Sequence, residues 1–353
     1  MKTARTWRVR EAGPDDLDLI RELYRAVWGY NRPAAYDRWR FLDLPWGTIP
    51  GALAVEGDRA IGFYPVWPAP LRLDRAAVPG AQLMDIMTRP DFRGQRVIVA
   101  LAEAGFEIAA ARGIRLLYGF PNPANLRGHV RRFGWTHAGD IPHWVRPIRP
   151  SRHPRLAPLG TLADLAARLW PTGRKRDYVL AAGPVDPAGL SALAEDGAAP
   201  GPCRVEREPA WLAWRYAGGS AQGYDWIAAT KDEKIRAAAV WGMRDETWGQ
   251  VRDGRAHLVE LWGADARARE AALAAVIGRA RERGAWLLET VTNDPETIRT
   301  LKRAGFVAHR RAPMIVRPLG TATSFVGPPT GGTAPDPRDV KNWRIVGGDL
   351  DTF

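Results

Sequence analysis

The sequence predicts an α/β protein of two layered domains, each a mixed central sheet flanked by helices, and three observations carry that prediction. The 353 residues are about twice the length of a typical domain. Short apolar runs that read as strands alternate with stretches of helical periodicity. The order of these elements then occurs a second time along the chain, which points to duplication of one α/β unit.

Each element has its local reason. Residues 33–41 read as a helix with Pro33 at its start, and residues 209–216 repeat it, Trp39-Arg40-Phe41 against Trp214-Arg215-Tyr216. A hairpin follows in both halves: 52–55 and 60–63 around the charged turn 56–59, then 226–229 and 235–240 around 231–234. The strand-like Leu83-Met84-Asp85-Ile86-Met87 is matched by Leu258-Val259-Glu260-Leu261, and helices are expected over 93–112 and 266–283. Strands 115–120 and 286–290 come next. Each half closes with an Asn, a helix and a Gly-aromatic turn, Asn122 to Gly134-Trp135 and Asn293 to Gly305-Phe306, at equal Asn-to-Gly spacing. The expected organisation is a first domain over 1–147, a linker rich in Pro, Arg and Gly over 148–176, and a second, degenerate domain over 177–318. The tail 319–353 regains apolar character near its end and is expected to dock back.

Thr88-Arg89-Pro90-Asp91-Phe92-Arg93-Gly94-Gln95-Arg96-Val97 links the first of these strands to its helix and reads as a phosphate-holding loop. Pro90 ends the strand, and the start of the helix offers unpaired N–H groups at the positive end of the dipole. Gly94 lets a ligand approach that backbone, while Arg93 and Arg96 add charge. The corresponding turn of the second half carries Asp265, a plausible N-cap whose carboxylate competes with phosphate.

Composition bounds the function. The hydrophobic fraction is 46%, and no run approaches the ~18 apolar residues of a membrane span, so no membrane partner is expected. The basic start, residues 1–10, lacks an apolar signal core, and cytoplasm is the simplest compartment. One cysteine, Cys203, rules out an internal disulfide and a cysteine zinc site; no metal is expected. The net charge of +12 is spread over dispersed arginines, with 174–176 the longest basic run, so a nucleic-acid partner is not expected.

The ordered elements, Arg93-Gly94-Gln95 after the strand, and the Asn122 to Gly134-Trp135 block resemble the GNAT acyltransferase superfamily, over roughly residues 5–145. The resemblance implies acetyl-CoA or another acyl-CoA as cofactor, and direct transfer to a small-molecule amine. Ile86, Met87 and Thr88 would offer backbone groups to the pantetheine arm, and Arg93, Gly94, Gln95, Arg96 and Val97 would hold the pyrophosphate. Asn122 joins this set. Arg96 stands where the family pattern has Gly, and Ile98 where it has a small residue. Arg96 either pairs with pyrophosphate or crowds it.

Direct transfer needs a base, a polarised thioester and a proton for the thiolate, but no protein nucleophile. Four serines, no Gly-x-Ser-x-Gly elbow and a lone Cys203 agree with that. Asp85, inside an apolar strand, is the candidate base, with burial expected to raise its pKa; the alternative is that it faces solvent or pairs with an Arg, and Glu260 at the matching place of the second half favours such a structural role. The Tyr that many family members use as acid is replaced by Val130, which leaves His129, Tyr118 or water to protonate the thiolate. Trp46, Tyr64 and Trp67 are candidates for the acceptor pocket, and Asp349 and Asp351 for drawing in a cationic amine. Two other functions fit the frame: aminoacyl transfer from charged tRNA by a tandem GNAT-like protein, and non-catalytic CoA binding. The sequence leaves oligomeric state open.

Overall fold

A computed structural model describes residues 6–153, 157–170, 177–183, 186–196, 203–216, 223–243, 254–320 and 335–350. In chain order its elements are β1 (Arg8–Glu11), α1 (Leu17–Trp28), α2 (Ala34–Phe41), β2 (Gly51–Glu56), β3 (Arg59–Leu73), β4 (Ala76–Leu83), β5 (Met87–Thr88), α3 (Val97–Ala111), β6 (Leu116–Gly119), α4 (Pro123–Phe133) and β7 (Thr136–Pro147). Then follow α5 (Gly160–Leu169), β8 (Val179–Ala182), α6 (Pro187–Asp196), β9 (Cys203–Val205), α7 (Pro209–Tyr216), β10 (Asp225–Lys231), β11 (Lys234–Met243), β12 (Arg255–Gly263), α8 (Ala266–Glu282), β13 (Leu287–Val291), α9 (Pro295–Arg303), β14 (Val307–Pro318) and β15 (Trp343–Arg344). Mixed sheets and helices make this an α/β protein. Among the described residues no helix is long and apolar enough to cross a membrane.

The chain divides into two compact units. The first contains Met1–Asp140, Gly201–Glu206 and Pro313–Trp343; the second contains Ile141–Pro200, Arg207–Ala312 and Arg344–Phe353. The chain passes between units within β7 and within β14, so neither unit is a contiguous stretch such as 1–147 or 177–318. The helix in the expected linker, α5, belongs to the second unit.

In the first unit the strand order is β1-β2-β3-β4-β6, with the end of β14 on the far side of β6. Every pairing is antiparallel except β4 with β6. On one face α3 seats Val97 and Leu101 in an apolar core with Ile61, Tyr64 and Leu117. That seating needs Gly62, where a Cβ would come within 3.1 Å of both Val97 Cγ1 and the Met87 carbonyl. Alternation along β3 sends Phe63 and Trp67 the other way, to Phe41 and Trp39 of α2.

The continuous strand expected over 83–87 is broken. β4 ends at Leu83, and β5 resumes at Met87 against Phe63 of β3. Met84, Asp85 and Ile86 stand opposite only Tyr64 and Pro65, a bulge with Asp85 in the left-handed region at φ 41°. Pro65, without an N–H, removes one ladder bond there.

The second unit orders its strands as β7-β13-β12-β11-β10-β8, antiparallel except for β12 with β13. The alanine-rich α8 buries Ala268, Ala271, Ala272 and Ala275 with Leu258, Leu261 and Trp241.

Candidate active site

The site of the first unit is built where β4 and β6 part company. Their parallel pairing runs from Gly80 with Leu116 to Leu83 with Gly119. Beyond it the bulge turns the chain away, and β5 pairs with β3. A strand that leaves its neighbour exposes backbone N–H and C=O groups along the opening, which suits an extended amide-bearing ligand.

Below the opening lies the loop. Residues 90–92 form a single 3-10 turn, and α3 begins at Val97, four residues later than the periodicity of 93–112 predicts. The reason is backbone conformation: Gly94 and Arg96 both have positive φ, 83° and 62°. Among the described residues the N–H groups of Gly94, Arg96, Val97 and Ile98 make no hydrogen bond within the chain. The first turn of α3 carries no acidic residue and no side-chain cap. Arg93, Gly94, Gln95 and Arg96 are exposed, and Val97 is buried. This is a cluster of unpaired donors at the positive end of a helix, suited to phosphate oxygens. The positive φ of Arg96 also accounts for Gly in the pattern it departs from: Arg takes the same conformation at a cost of about 1 kcal/mol.

Asp85 sits at the other end of the opening in a charge cluster, the arginine pairing that the sequence left as the alternative, with partners it did not single out. Its Oδ2 accepts from Arg32 Nη1 at 2.6 Å and Arg40 Nε at 3.0 Å. Arg32 also pairs with Asp37 at 2.7 Å and stacks its guanidinium 3.7 Å from the Tyr24 ring centroid. Arg40 donates to the Tyr36 hydroxyl at 2.9 Å and lies 5.1 Å from the Trp67 ring. Arg32, Asp37 and Arg40 are buried. The expected rise in the Asp85 pKa is reversed. Burial pushes it up, but the charges and hydrogen bonds of Arg40 and Arg32 outweigh burial and hold it at about 2. At neutral pH Asp85 is a fixed anion.

The remaining candidates are dispersed. Tyr64 is fully buried in the core, edge-on to Phe106 at 5.7 Å and tight against Gly105, so it does not line an acceptor pocket; burial raises its pKa. Trp67 is buried on the Asp85 side, against Trp39, and Trp46 is exposed between α2 and β2. Tyr118 pairs in register with Gln82, one step below the opening, and is buried against Phe120 and Trp343. His129 is half-buried over Phe133 and Trp135, and burial lowers its pKa. Those contacts put it on the α3 and α4 side of the sheet, with Tyr64 and Phe106 and away from Asp85. Asn122 caps α4, its Oδ1 accepting from Ala124 N at 3.0 Å. Asp349 is buried in the second unit on Arg207 at 2.7 Å, where a bulk amine does not meet it. Asp351 lies outside the described residues. Burial pushes the Cys203 thiol up to about 12, which removes it as a nucleophile.

The sequence model of the Acetyltransferase (GNAT) domain matches residues 8–138, the span that carries loop, bulge and opening. Residues 8–138 are a GNAT domain. An uncharacterised N-acetyltransferase of Methanocaldococcus jannaschii is 27% identical over 157 residues, 41% of this chain and 67% of that protein. Two solved structures share the fold at 12% identity. A probable N-acyltransferase of Enterococcus faecalis has a TM-score of 0.65, over 89% of this chain and 72% of its own. A GCN5-related N-acetyltransferase of Anabaena variabilis has a TM-score of 0.63, over 96% and 82%.

Within the GNAT domain, Arg32 and Arg40 are the residues that sequence reasoning missed. A signal existed. Arg32, Arg40 and Asp85 recur as Arg207, Arg215 and Glu260 at one constant separation along the chain.

Proposed function

We propose that the protein is an acyl-CoA-dependent N-acyltransferase that transfers an acetyl group directly to a small amine. The reading rests on one observation: four free N–H groups at the start of α3 and the strand opening at the Asp85 bulge lie at the two ends of one short segment, residues 84–98. The N–H groups of Gly94, Arg96, Val97 and Ile98 hold the pyrophosphate, with Arg93 and Arg96 adding charge. Backbone groups of Ile86, Met87 and Thr88 take the pantetheine arm, and an N–H near Met87 polarises the thioester carbonyl.

Asp85, ionised at neutral pH, anchors the cationic acceptor as a charge rather than as a proton acceptor. The amine loses its proton to solvent, and its lone pair attacks the thioester carbon. The C–S bond breaks, the new amide nitrogen gives up its extra proton to solvent, and the thiolate takes a proton from water. Tyr24, Tyr36 and Trp67 pack around the arginine pair and hold the two guanidinium groups on Asp85.

Titration calorimetry with acetyl-CoA, followed by thiol release over a panel of amines, tests this. Expected is micromolar binding and amine-dependent thiol release. No binding at millimolar donor refutes it, and binding without release for any amine favours a CoA-binding protein instead.

A further inference from the structure

The second unit repeats the strand opening but fills it. β12 and β13 pair from Arg255 with Leu287 to His257 with Glu289, whereas β12 keeps its pairing with β11 from Ala256 on to Gly263, so the β13 edge of β12 is left open beyond His257. The segment after β14 that belongs to this unit, Arg344 to Leu350, lies in the opening. Ile345 N donates to Asn293 Oδ1 at 2.8 Å, and Asn293 N donates to the Ile345 carbonyl at 3.3 Å. Gly347 lies on the Leu258 and Val259 backbones, where a Cβ would be 3.0 Å from both carbonyl oxygens. At Gly348 a Cβ would collide with Glu260 and the Tyr216 hydroxyl. Asp349 pairs with Arg207 Nη2 at 2.7 Å, and its Oδ2 accepts from Val346 N at 2.9 Å. Arg215 Nη2 donates to the Leu350 carbonyl at 3.1 Å, and Arg344 Nε pairs with Asp294 at 3.1 Å.

We propose that the opening between β12 and β13 is a peptide-binding cleft for a short segment in which paired glycines precede an aspartate, occupied in cis by Arg344–Leu350. This rests on the reading that the second unit is a counterpart of the first, so that the segment lies where a pantetheine arm would run. Three observations fit a converted cleft. Asp265 caps α8 by accepting from Ala268 N at 2.9 Å, so a carboxylate occupies the place of phosphate. Arg207 and Arg215, counterparts of Arg32 and Arg40, spend donors on Asp349 and the Leu350 carbonyl. Burial and the added Asp349 charge push Glu260 up, opposite to Asp85.

A fluorescent peptide of residues 344–353 is the probe, added to the full chain and to its Gly348→Leu variant. Leu at 348 expels the cis segment, so the variant binds the peptide at least about tenfold more tightly than the unmodified chain. An Asp349→Ala peptide loses about tenfold or more. Asp349→Ala in the full chain, which only weakens the hold of the segment, is the second host and shows the same order of affinities. A folded variant that ignores the peptide, or takes both peptides equally, overturns the proposal. Acetyl-CoA stoichiometry separates this from the enzymatic reading. One site in both chains supports conversion, and a second site in Gly348→Leu overturns it. Peptide binding without any acetyl-CoA site sinks the transferase reading alone and leaves the cleft standing.

Discussion

Replacing Asp85 with Asn removes one negative charge from between two buried guanidinium groups, and the consequence is calculable as a function of pH. The carboxyl ordinarily titrates near 3.8 and is held at about 2 in the folded chain. At 1.36 kcal/mol per pH unit, that difference is worth about 2 kcal/mol to folding. A depressed folded pKa means the unfolded chain binds more protons between pH 4 and 2. The contribution is therefore complete above about pH 4 and is lost as pH falls toward 2. Removing the partner of buried charges adds a cost, so Asp85→Asn is expected to lose about 3 kcal/mol or more at pH 7. The assay is thermal unfolding of both chains from pH 2 to 8. The melting point of the first unit drops by roughly 6–12 °C at pH 7, at about 2–4 °C per kcal/mol, and the gap narrows below pH 4. A gap independent of pH, or a carboxyl carbon resonance of Asp85 that titrates above pH 5, would refute the assignment of this residue as a fixed anion.

Gly94→Val places a β-branched residue at φ 83°, where open space surrounds the added carbon but the conformation is strained; calorimetry should show acetyl-CoA binding weakened about tenfold. Arg96→Gly relieves a left-handed arginine and raises apo stability by about 1 kcal/mol in denaturant titration. The same change should weaken acetyl-CoA binding several-fold at low salt, with the loss shrinking as ionic strength rises. His129→Phe keeps the aromatic packing on Phe133 and Trp135, so kcat and its pH profile should stay within about twofold; a loss of a hundredfold would restore His129 as a proton donor.

The repeated order of helices, hairpins and strands was legible because hydrophobic periodicity and turn residues are local properties. The loop around Gly94 was legible for the same reason, down to Arg96 as the unusual residue. For Asp85 the sequence offered pairing with an Arg as an alternative but not which arginines. Arg32 and Arg40 lie 53 and 45 residues away in sequence and reach it only because α2 packs over β3 at the bulge. The sign of a pKa shift depends on such partners, so burial inferred from apolar neighbours gave the wrong direction. Tyr64 and Trp67 looked alike in sequence, yet strand alternation sends one into the α3 core and the other to the arginine pair.

Sequence alone thus determined the α/β class and the α3 donor loop, because both follow from short-range backbone chemistry. Only the tertiary structure decided which strands part, which carboxylate stays charged and where residues 344–350 lie. Those depend on pairings between residues far apart along the chain, and no local pattern encodes them.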